Sequence, residues 1–199
     1  PLPRTITASG SVAPWQEISL GVELSSVRVA RVLVDVGQQV KKGQPLIEMD
    51  ARTLQVDLNS ARARLAEADA ALVLARANGE RGRRLKEQQL ISAGNADELI
   101  AGEARAEAQR QSALAQLESA RLRLGFASLR APDDGVISAR SVDPGQIVSP
   151  TNELLKMIRE GRLEWRGELS GSDLARVKAG ADVRLRDPAG TLVLAKVRS

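Results

Sequence analysis

Few side chains in this 199-residue sequence could do chemistry, because it contains no cysteine and no histidine. Thiol nucleophiles, disulfides, cysteine-ligated metals and histidine acid–base catalysis are therefore excluded. Paired carboxylates remain and could act as general acid and base; the pairs are Glu67 with Asp69 and Asp97 with Glu98. Both pairs fall in charged, helical sequence, which favours a water-facing surface over a catalytic site. We therefore expect a protein that is not an enzyme, with no catalytic residue, no cofactor and no metal site.

The charge pattern argues against nucleic acid as a partner. The net charge is +4 and the pI about 9.9, but 29 positive residues are interleaved with 25 negative ones. Mixed charge of this kind is typical of a solvated helix, whereas a nucleic-acid binder concentrates its basic residues on one face. No apolar run reaches the roughly 18–20 residues that span a bilayer. The opening PLPRTITASG lacks a signal-peptide pattern and the closing TLVLAKVRS stops inside a predicted strand, so we expect a fragment of a longer protein.

The elements that must position any site change character along the chain. Residues 1–50 are rich in Val, Ile, Thr and Gly, and stretches such as VRVARVLVDV keep the period of two that is typical of strands. Residues 51–126 are dominated by Ala, Leu, Glu, Arg and Gln, and strand-like sequence resumes from Ala127. The predicted fold class is therefore α+β.

The middle segment predicts a helical hairpin. Apolar and small residues recur there at alternating spacings of four and three, the heptad seam of a coiled coil: Leu54, Leu58, Ala61, Leu65, Ala68, Leu72 and Ala75, then Ala106, Ala113, Leu117, Ala120 and Leu124. Between the two runs, QQLISAGNAD contains Gly94 and Asn95, which predicts the reversal, with Asn95 as the cap of the second helix. Two antiparallel helices of about 35 residues would each be about 50 Å long.

A short motif occurs twice, at a constant offset of 108 residues. The seven identities pair Val34, Asp35, Gly37, Gln38, Val40, Leu46 and Met49 with Val142, Asp143, Gly145, Gln146, Val148, Leu154 and Met157. The repeat predicts two similar β motifs, each of which buries its apolar face against the other. The helical hairpin is then inserted where a tight turn would otherwise join them.

The repeated stretches carry a family resemblance. VGQQVKKGQPLIEMD and LRAPDDGVISARSVDPGQIV resemble the two halves of a biotinyl or lipoyl carrier domain. A carrier presents its modified lysine in the turn between the halves, but the sequence there is EMDARTLQVD, which has no lysine. A lipoyl-like domain split by an α-hairpin resembles the periplasmic adaptors, or membrane fusion proteins, of resistance-nodulation-division efflux pumps. ASGSVAP resembles the entry strand of that family, and GELSGSDLARVKAGADVRLR resembles the strand–helix–strand of its β-barrel.

The resemblance implies an elongated, modular architecture. It has a partial β-barrel domain (1–12 and 161–199), a lipoyl-like β-sandwich in two halves (13–50 and 127–160) and an antiparallel coiled-coil hairpin (51–126) whose tip lies near 85–96.

The same family carries a tip pattern of Arg, three residues, Leu, six residues and Ser, which RGRRLKEQQLIS supplies as Arg81, Leu85 and Ser92. At 100° per residue, positions 85 and 92 lie within about 40° of position 81 if the helix continues that far. We therefore predict a docking stripe for an outer-membrane channel. Because the seam continues through Gly79 and Gly82, Leu85 lies off it, and a chance surface leucine stays an alternative.

The function implied by the resemblance is a periplasmic adaptor that links an inner-membrane transporter of the resistance-nodulation-division type to an outer-membrane channel. The family assembles as a hexamer in the pump, and a segment outside this chain would anchor it to the inner membrane. Three alternatives stay open. They are an adaptor of an ATP-driven exporter or metal-efflux pump, a biotinyl or lipoyl carrier domain, and a basic coiled coil that binds nucleic acid.

Overall fold

The structure is a computed structural model that describes residues 6–174, 176–186 and 191–198. The chain folds as two units, a central unit of Glu17–Gly161 and a terminal unit that combines Pro1–Gln16 with Arg162–Ser199. In chain order the elements are β1 (Ser9–Pro14), β2 (Glu17–Leu20), β3 (Val27–Val32), β4 (Gln39–Val40), β5 (Pro45–Met49), α1 (Arg52–Glu87), α2 (Ala93–Gly125), β6 (Ser128–Arg130), β7 (Gly135–Arg140), β8 (Ile147–Val148), β9 (Leu155–Arg159), β10 (Leu163–Glu168), α3 (Gly171–Leu174), β11 (Asp182–Arg186) and β12 (Leu192–Lys196). The predicted α+β class is confirmed.

Two four-stranded antiparallel sheets form the β core of the central unit. Their strand orders are β2-β9-β7-β4 and β6-β5-β3-β8. The side chains between them are almost completely shielded from solvent, the largest being Leu46, Ile47, Ile137, Leu154, Leu155 and Met157, each at most 1% exposed. Burying an aliphatic side chain of this size contributes about 1.5–3 kcal/mol, so this shared core is the main source of stability in the β part.

The two repeated motifs bind each other reciprocally, as the sequence repeat predicts. The Gly37 N–H donates to the Ile137 carbonyl at 2.8 Å, and the Gly145 N–H donates to the Val29 carbonyl at the same distance. Val29 and Ile137 are themselves 108 residues apart. Both glycines have positive φ, +84° and +90°, a conformation that glycine adopts without steric cost. Each half of the module is therefore completed by a strand of the other half.

The hairpin replaces the turn between two paired strands. β5 and β6 lie side by side, with Ile47 opposite Leu129, and the chain between them runs out through α1 and back through α2. At the root, Arg52 donates from its backbone and side-chain nitrogens to the Asp50 carboxylate, with the shortest contact at 2.7 Å. The predicted insertion of the hairpin into the β module is confirmed.

α1 and α2 have 36 and 33 residues, and they pack along the predicted heptad seam. The buried seam residues are Leu58, Ala61, Ala68 and Leu72 on α1 and Ala113 and Leu117 on α2. The other predicted seam positions, Leu54, Leu65, Ala75, Ala106, Ala120 and Leu124, are half-buried. Alanine lets the helices come close together but buries little area, so the seam is narrow.

The terminal unit is a half-barrel. β1 pairs with β10 and β11 pairs with β12, both antiparallel. In the segment that joins β10 to β11, the Ser170 hydroxyl accepts the Asp173 N–H and caps the short α3. The Arg162 guanidinium lies 5.0 Å from the centre of the Trp15 ring, a cation–π distance. In the part of the chain that the structure describes, no helix combines the length and hydrophobicity needed to cross a membrane.

Candidate docking site at the hairpin tip

α1 ends in a backbone closure built around a residue with left-handed geometry. Gln89 has a φ of +56°, and it follows the last helical residue by two positions. The Leu90 N–H donates to the Leu85 carbonyl at 2.9 Å, and the Gln89 N–H donates to the Lys86 carbonyl at 3.1 Å. These two bonds define a Schellman motif, which satisfies carbonyls that the helix end would otherwise leave free.

α2 begins at a serine cap, and here the sequence prediction was wrong. Ser92 has extended geometry, with φ −65° and ψ 152°, and its Oγ accepts the Asn95 N–H at 3.2 Å. Gly94 and Asn95 therefore lie inside the first turn of α2 and do not form the reversal. Serine and asparagine are comparable caps, so helix propensity alone does not choose between them. The Schellman closure decides, because it turns the chain at Gln89 and leaves Ser92 at the entry to α2.

The predicted single stripe of Arg81, Leu85 and Ser92 is also wrong in its geometry. The stripe required one helix that continues to position 92, but α1 ends at Glu87. Arg81 and Leu85, four residues apart, still share a face of α1. Ser92 instead caps α2, on the other side of the reversal.

Two glycines let the helices approach closely just below the tip. Gly79 and Gly82 are both buried on the inner face of α1. A Cβ at position 82 would lie 3.1 Å from the Cβ of Leu99, and one at position 79 would meet the Glu103 carboxylate. Ala96, next to this contact, is fully buried. Close helix packing therefore accounts for both glycines.

Four ion pairs connect the helices along the hairpin. They are Lys86–Asp97 at 2.8 Å, Arg83–Glu103 at 2.5 Å, Arg76–Glu107 at 2.7 Å and Arg110–Asp69 at 2.6 Å. Each is partly exposed and worth at most about 1 kcal/mol, but together they hold one antiparallel register. Asp69 and Asp97, each a member of a candidate acid–base pair, are thus surface ion-pair partners.

The tip leaves two guanidinium groups and one apolar side chain available: besides Arg81, Arg84 in the last turn of α1 is exposed and its side chain has no hydrogen bond or ion pair with any described residue. Arg81 is exposed and makes no hydrogen bond or ion pair with any residue in the described ranges. Leu90 is 65% exposed, whereas Leu85 is half-buried. Leu90 was missed in the sequence because Gln89, where glycine is usual, gives no signal of a Schellman motif.

Among the described residues, the carboxyl groups with perturbed pKa values lie in the β module and at the hairpin root. Hydrogen bonds from the Arg52 side chain lower the pKa of Asp50 to about 2. The backbone N–H of Asp134 lowers the pKa of Asp133, and the Ser19 hydroxyl lowers that of Glu153. All three shifts stabilise the charged carboxylate. They are typical of structural hydrogen bonds and not of a general acid held protonated near neutral pH.

The comparisons with known proteins agree with this arrangement. Residues 57–127, which contain nearly the whole hairpin, match the family described as RND MFP, alpha-helical hairpin domain. These residues therefore form a hairpin domain of the membrane fusion protein type. Multidrug resistance protein MdtA of Photorhabdus laumondii subsp. laumondii is 34% identical over 116 residues, which cover 58% of this chain and 29% of MdtA. Nodulation protein NolF of Rhizobium meliloti is 30% identical over 155 residues, 78% of this chain and 42% of NolF.

A solved membrane fusion protein structure has the same fold over nearly the whole chain. A MacA–MexA chimera that contains the Pseudomonas aeruginosa MexA α-hairpin domain superimposes with a TM-score of 0.68 at 30% identity. The match covers 96% of this chain and 64% of the chimera. Against MdtA and NolF, the chain spans less than half of the relative's length.

Proposed function

We propose that this protein is a non-enzymatic adaptor of a tripartite efflux pump. In this role it joins an inner-membrane transporter of the resistance-nodulation-division type to an outer-membrane channel in the periplasm, with an inner-membrane anchor outside this chain. The observation that carries the proposal is the hairpin, which matches the family's hairpin domain and ends in a hydrogen-bonded reversal. The family's name for this domain favours the resistance-nodulation-division type of transporter.

The tip is the part of the hairpin proposed to meet the channel, through the motif Arg81, Leu85 and Ser92. Arg81 supports this role, because its guanidinium is exposed and without a partner in the described chain. An unpaired guanidinium can form bidentate bonds with a carboxylate or with backbone carbonyls on another protein. The domain boundaries predicted from the sequence remain part of this proposal.

A second seam on each helix supports self-association. On both helices, residues spaced alternately by three and four lie two positions from the inner seam, about 200° around the helix and so on the opposite face. They are Val56, Asn59, Ala63, Ala66, Ala70, Val73 and Ala77 on α1, and Ala101, Arg105, Ala108, Ser112, Ala115, Ser119 and Leu122 on α2. All are exposed, and most are small. Outward seams of this kind fit helices that pack on both sides, as in a ring of hairpins.

The register of such a ring follows from the ion pairs inside one hairpin. Lys86 faces Asp97, and Arg76 faces Glu107. If copies are related by rotation about an axis parallel to the hairpin, α1 of one copy lies beside α2 of the next at the same height. Ala66 then faces Ala115, Ala70 faces Ser112 and Val73 faces Ala108. Small residues meet small residues at these three levels, which supports lateral packing of adaptor copies.

Cross-linking tests both contacts, because the chain has no native cysteine. In the full-length protein in its host cells, Gln88→Cys at the tip is expected to cross-link to the outer-membrane channel. Glu67→Cys, exposed in the middle of the hairpin, is the control and is expected not to reach the channel. The double variant Ala70→Cys/Ser112→Cys is expected to give a ladder of adaptor multimers that ends at six copies. Cross-linking to the channel from Glu67→Cys but not from Gln88→Cys would contradict docking through the tip.

A further inference from the structure

We propose that Ser92 is a positioning residue that acts on the channel through the shape of the reversal, and that Leu90 supplies the apolar contact of the tip. This inference rests on the proposed docking of the tip. It assigns the members of the motif Arg81, Leu85 and Ser92 to two tasks. Leu85 and Ser92 build the reversal, while Arg81 and the newly assigned Leu90 are presented to the partner.

The Ser92 hydroxyl is already engaged inside the hairpin. Its Oγ accepts the N–H of Asn95, and its carbonyl accepts the N–H of Ala96 at 3.1 Å. The first turn of α2 reads Ala-Gly-Asn-Ala, so no acidic side chain in that turn can take over the capping. Because its hydroxyl binds an N–H group that the helix would otherwise leave free, and its carbonyl accepts the first helical hydrogen bond, Ser92 sets where the second helix starts.

Leu85 is engaged in the same way on the other side of the reversal. Its carbonyl accepts the N–H of Leu90, and its side chain is half-buried. In a Schellman motif these two positions commonly make a hydrophobic contact. Leu90 follows Gln89, which has a left-handed backbone, and 65% of the surface of Leu90 is exposed.

The reversal also explains the spacing of the motif. Counting from Leu85, the next positions are the last two residues of α1, the C-terminal cap Gln88, the left-handed Gln89, Leu90, one linking residue and the cap Ser92. Six residues between leucine and serine are therefore the length that a Schellman closure followed by a capped helix occupies here. A single docking stripe would need a continuous helix over the same residues, and α1 stops at Glu87.

Two substitutions at position 92 separate capping from direct contact. They are Ser92→Ala, which removes the cap, and Ser92→Asn, which keeps a cap but changes the side chain that a partner would meet. Both are made in the full-length protein that carries Gln88→Cys. The readouts are amide hydrogen exchange at Asn95 and the cross-linking yield to the channel in cells. Ser92→Ala is expected to speed exchange at Asn95 about fivefold and to lower cross-linking, and Ser92→Asn is expected to restore both.

Each other outcome overturns the inference. Ser92→Asn with slow exchange but without cross-linking would mean that the serine hydroxyl touches the channel directly. Ser92→Ala without any effect would mean that the cap does not position the tip. If Gln88→Cys fails to cross-link in the protein that is otherwise unchanged, docking itself fails. The exchange data from Ser92→Ala would still show whether the cap exists, so the two failures can be told apart.

Leu90 is tested against a leucine of matched exposure. Leu90→Ala is expected to lower cross-linking several-fold while the Asn95 amide keeps its protection. Leu174→Ala, in the terminal unit, changes a leucine that is 62% exposed and is expected to change neither readout. Leu85→Ala is expected to speed exchange at the Leu90 amide. Loss of cross-linking in Leu85→Ala with unchanged exchange, together with a silent Leu90→Ala, would make Leu85 the contact and overturn the assignment.

Discussion

The β core and the hairpin of the central unit differ in how much of their apolar surface they shield from solvent. In the β core, two sheets enclose side chains such as Leu46 and Ile137 completely. In the hairpin, α1 buries one narrow row of Leu, Ala and Gly, α2 buries one of Leu and Ala, and most of their remaining surface faces solvent. The β core therefore encloses its own apolar side chains, whereas the hairpin has two long faces available for other proteins. The proposed adaptor role uses both properties, a packed base and an arm with free surface.

The largest expected difference between the two regions is the cost of a cavity. Leu46→Ala in the β core is expected to lower the free energy of unfolding by about 4 kcal/mol, because the surrounding sheets cannot collapse into the cavity. Leu58→Ala in the seam, where the leucine is 3% exposed, is expected to cost about 2 kcal/mol because solvent and neighbouring side chains can fill the gap. Urea denaturation followed by circular dichroism measures both. Equal losses of unfolding free energy in Leu46→Ala and Leu58→Ala would mean that the β core and the hairpin seam respond to a cavity in the same way.

Glycine substitutions sharpen the comparison within the hairpin. Gly102→Ala is expected to stabilise by about 1 kcal/mol, because a Cβ there meets no atom within 4 Å and alanine favours the helix. Gly82→Ala raises helix propensity by the same amount, but its new Cβ would lie only 3.1 Å from Leu99. The Gly82→Ala variant is therefore expected to be no more stable than the unchanged protein, or less stable. Thermal unfolding of the two variants, side by side, tests the difference. A clear gain from Gly82→Ala would mean that the helices can separate near the tip without cost.

The ion pairs of the hairpin are expected to contribute little to stability. A double-mutant cycle with Asp69→Ala and Arg110→Ala is expected to give a coupling of about 0.2–1 kcal/mol, because the pair is partly exposed. The coupling should shrink in high salt, since exposed charges are screened. A coupling of several kcal/mol, unchanged by salt, would show that the hairpin depends on charge as much as the β core depends on burial.

The smallest effect is expected from pH near neutrality. The chain has no histidine, so stability should be flat between about pH 5 and 8. Asp50 has a pKa lowered to about 2 by Arg52, so its contribution is complete above its unfolded pKa and is lost as pH falls from about 4 towards 2. Arg52→Gln removes that contribution. The difference in melting temperature between Arg52→Gln and the unchanged protein should therefore be present at pH 6 and vanish near pH 2.

Much of the architecture was readable from local pattern and repetition. The alternating spacing of Leu58, Ala61, Ala68 and Leu72 predicts a seam because a helix turns by 100° per residue wherever it occurs. The two copies of the motif predict a two-part module because each apolar face needs a partner and the other copy offers a matching one. These inferences hold because they depend on period and composition, which neighbours in space do not alter.

The tip could not be read in this way. Ser92 and Asn95 are comparable caps, Gly94 is a credible turn residue, and Gln89 gives no sign that it adopts a positive φ. The choice among them comes from the closure of α1 and from the close contact of Gly82 with Leu99, which fixes where α2 can start. Helix periodicity is a property of the chain itself, and it was visible in the residues alone. The point at which the chain reverses, and the side chains left free there, were decided only when two helices packed against each other, because that contact selects one of several local conformations with nearly equal energy.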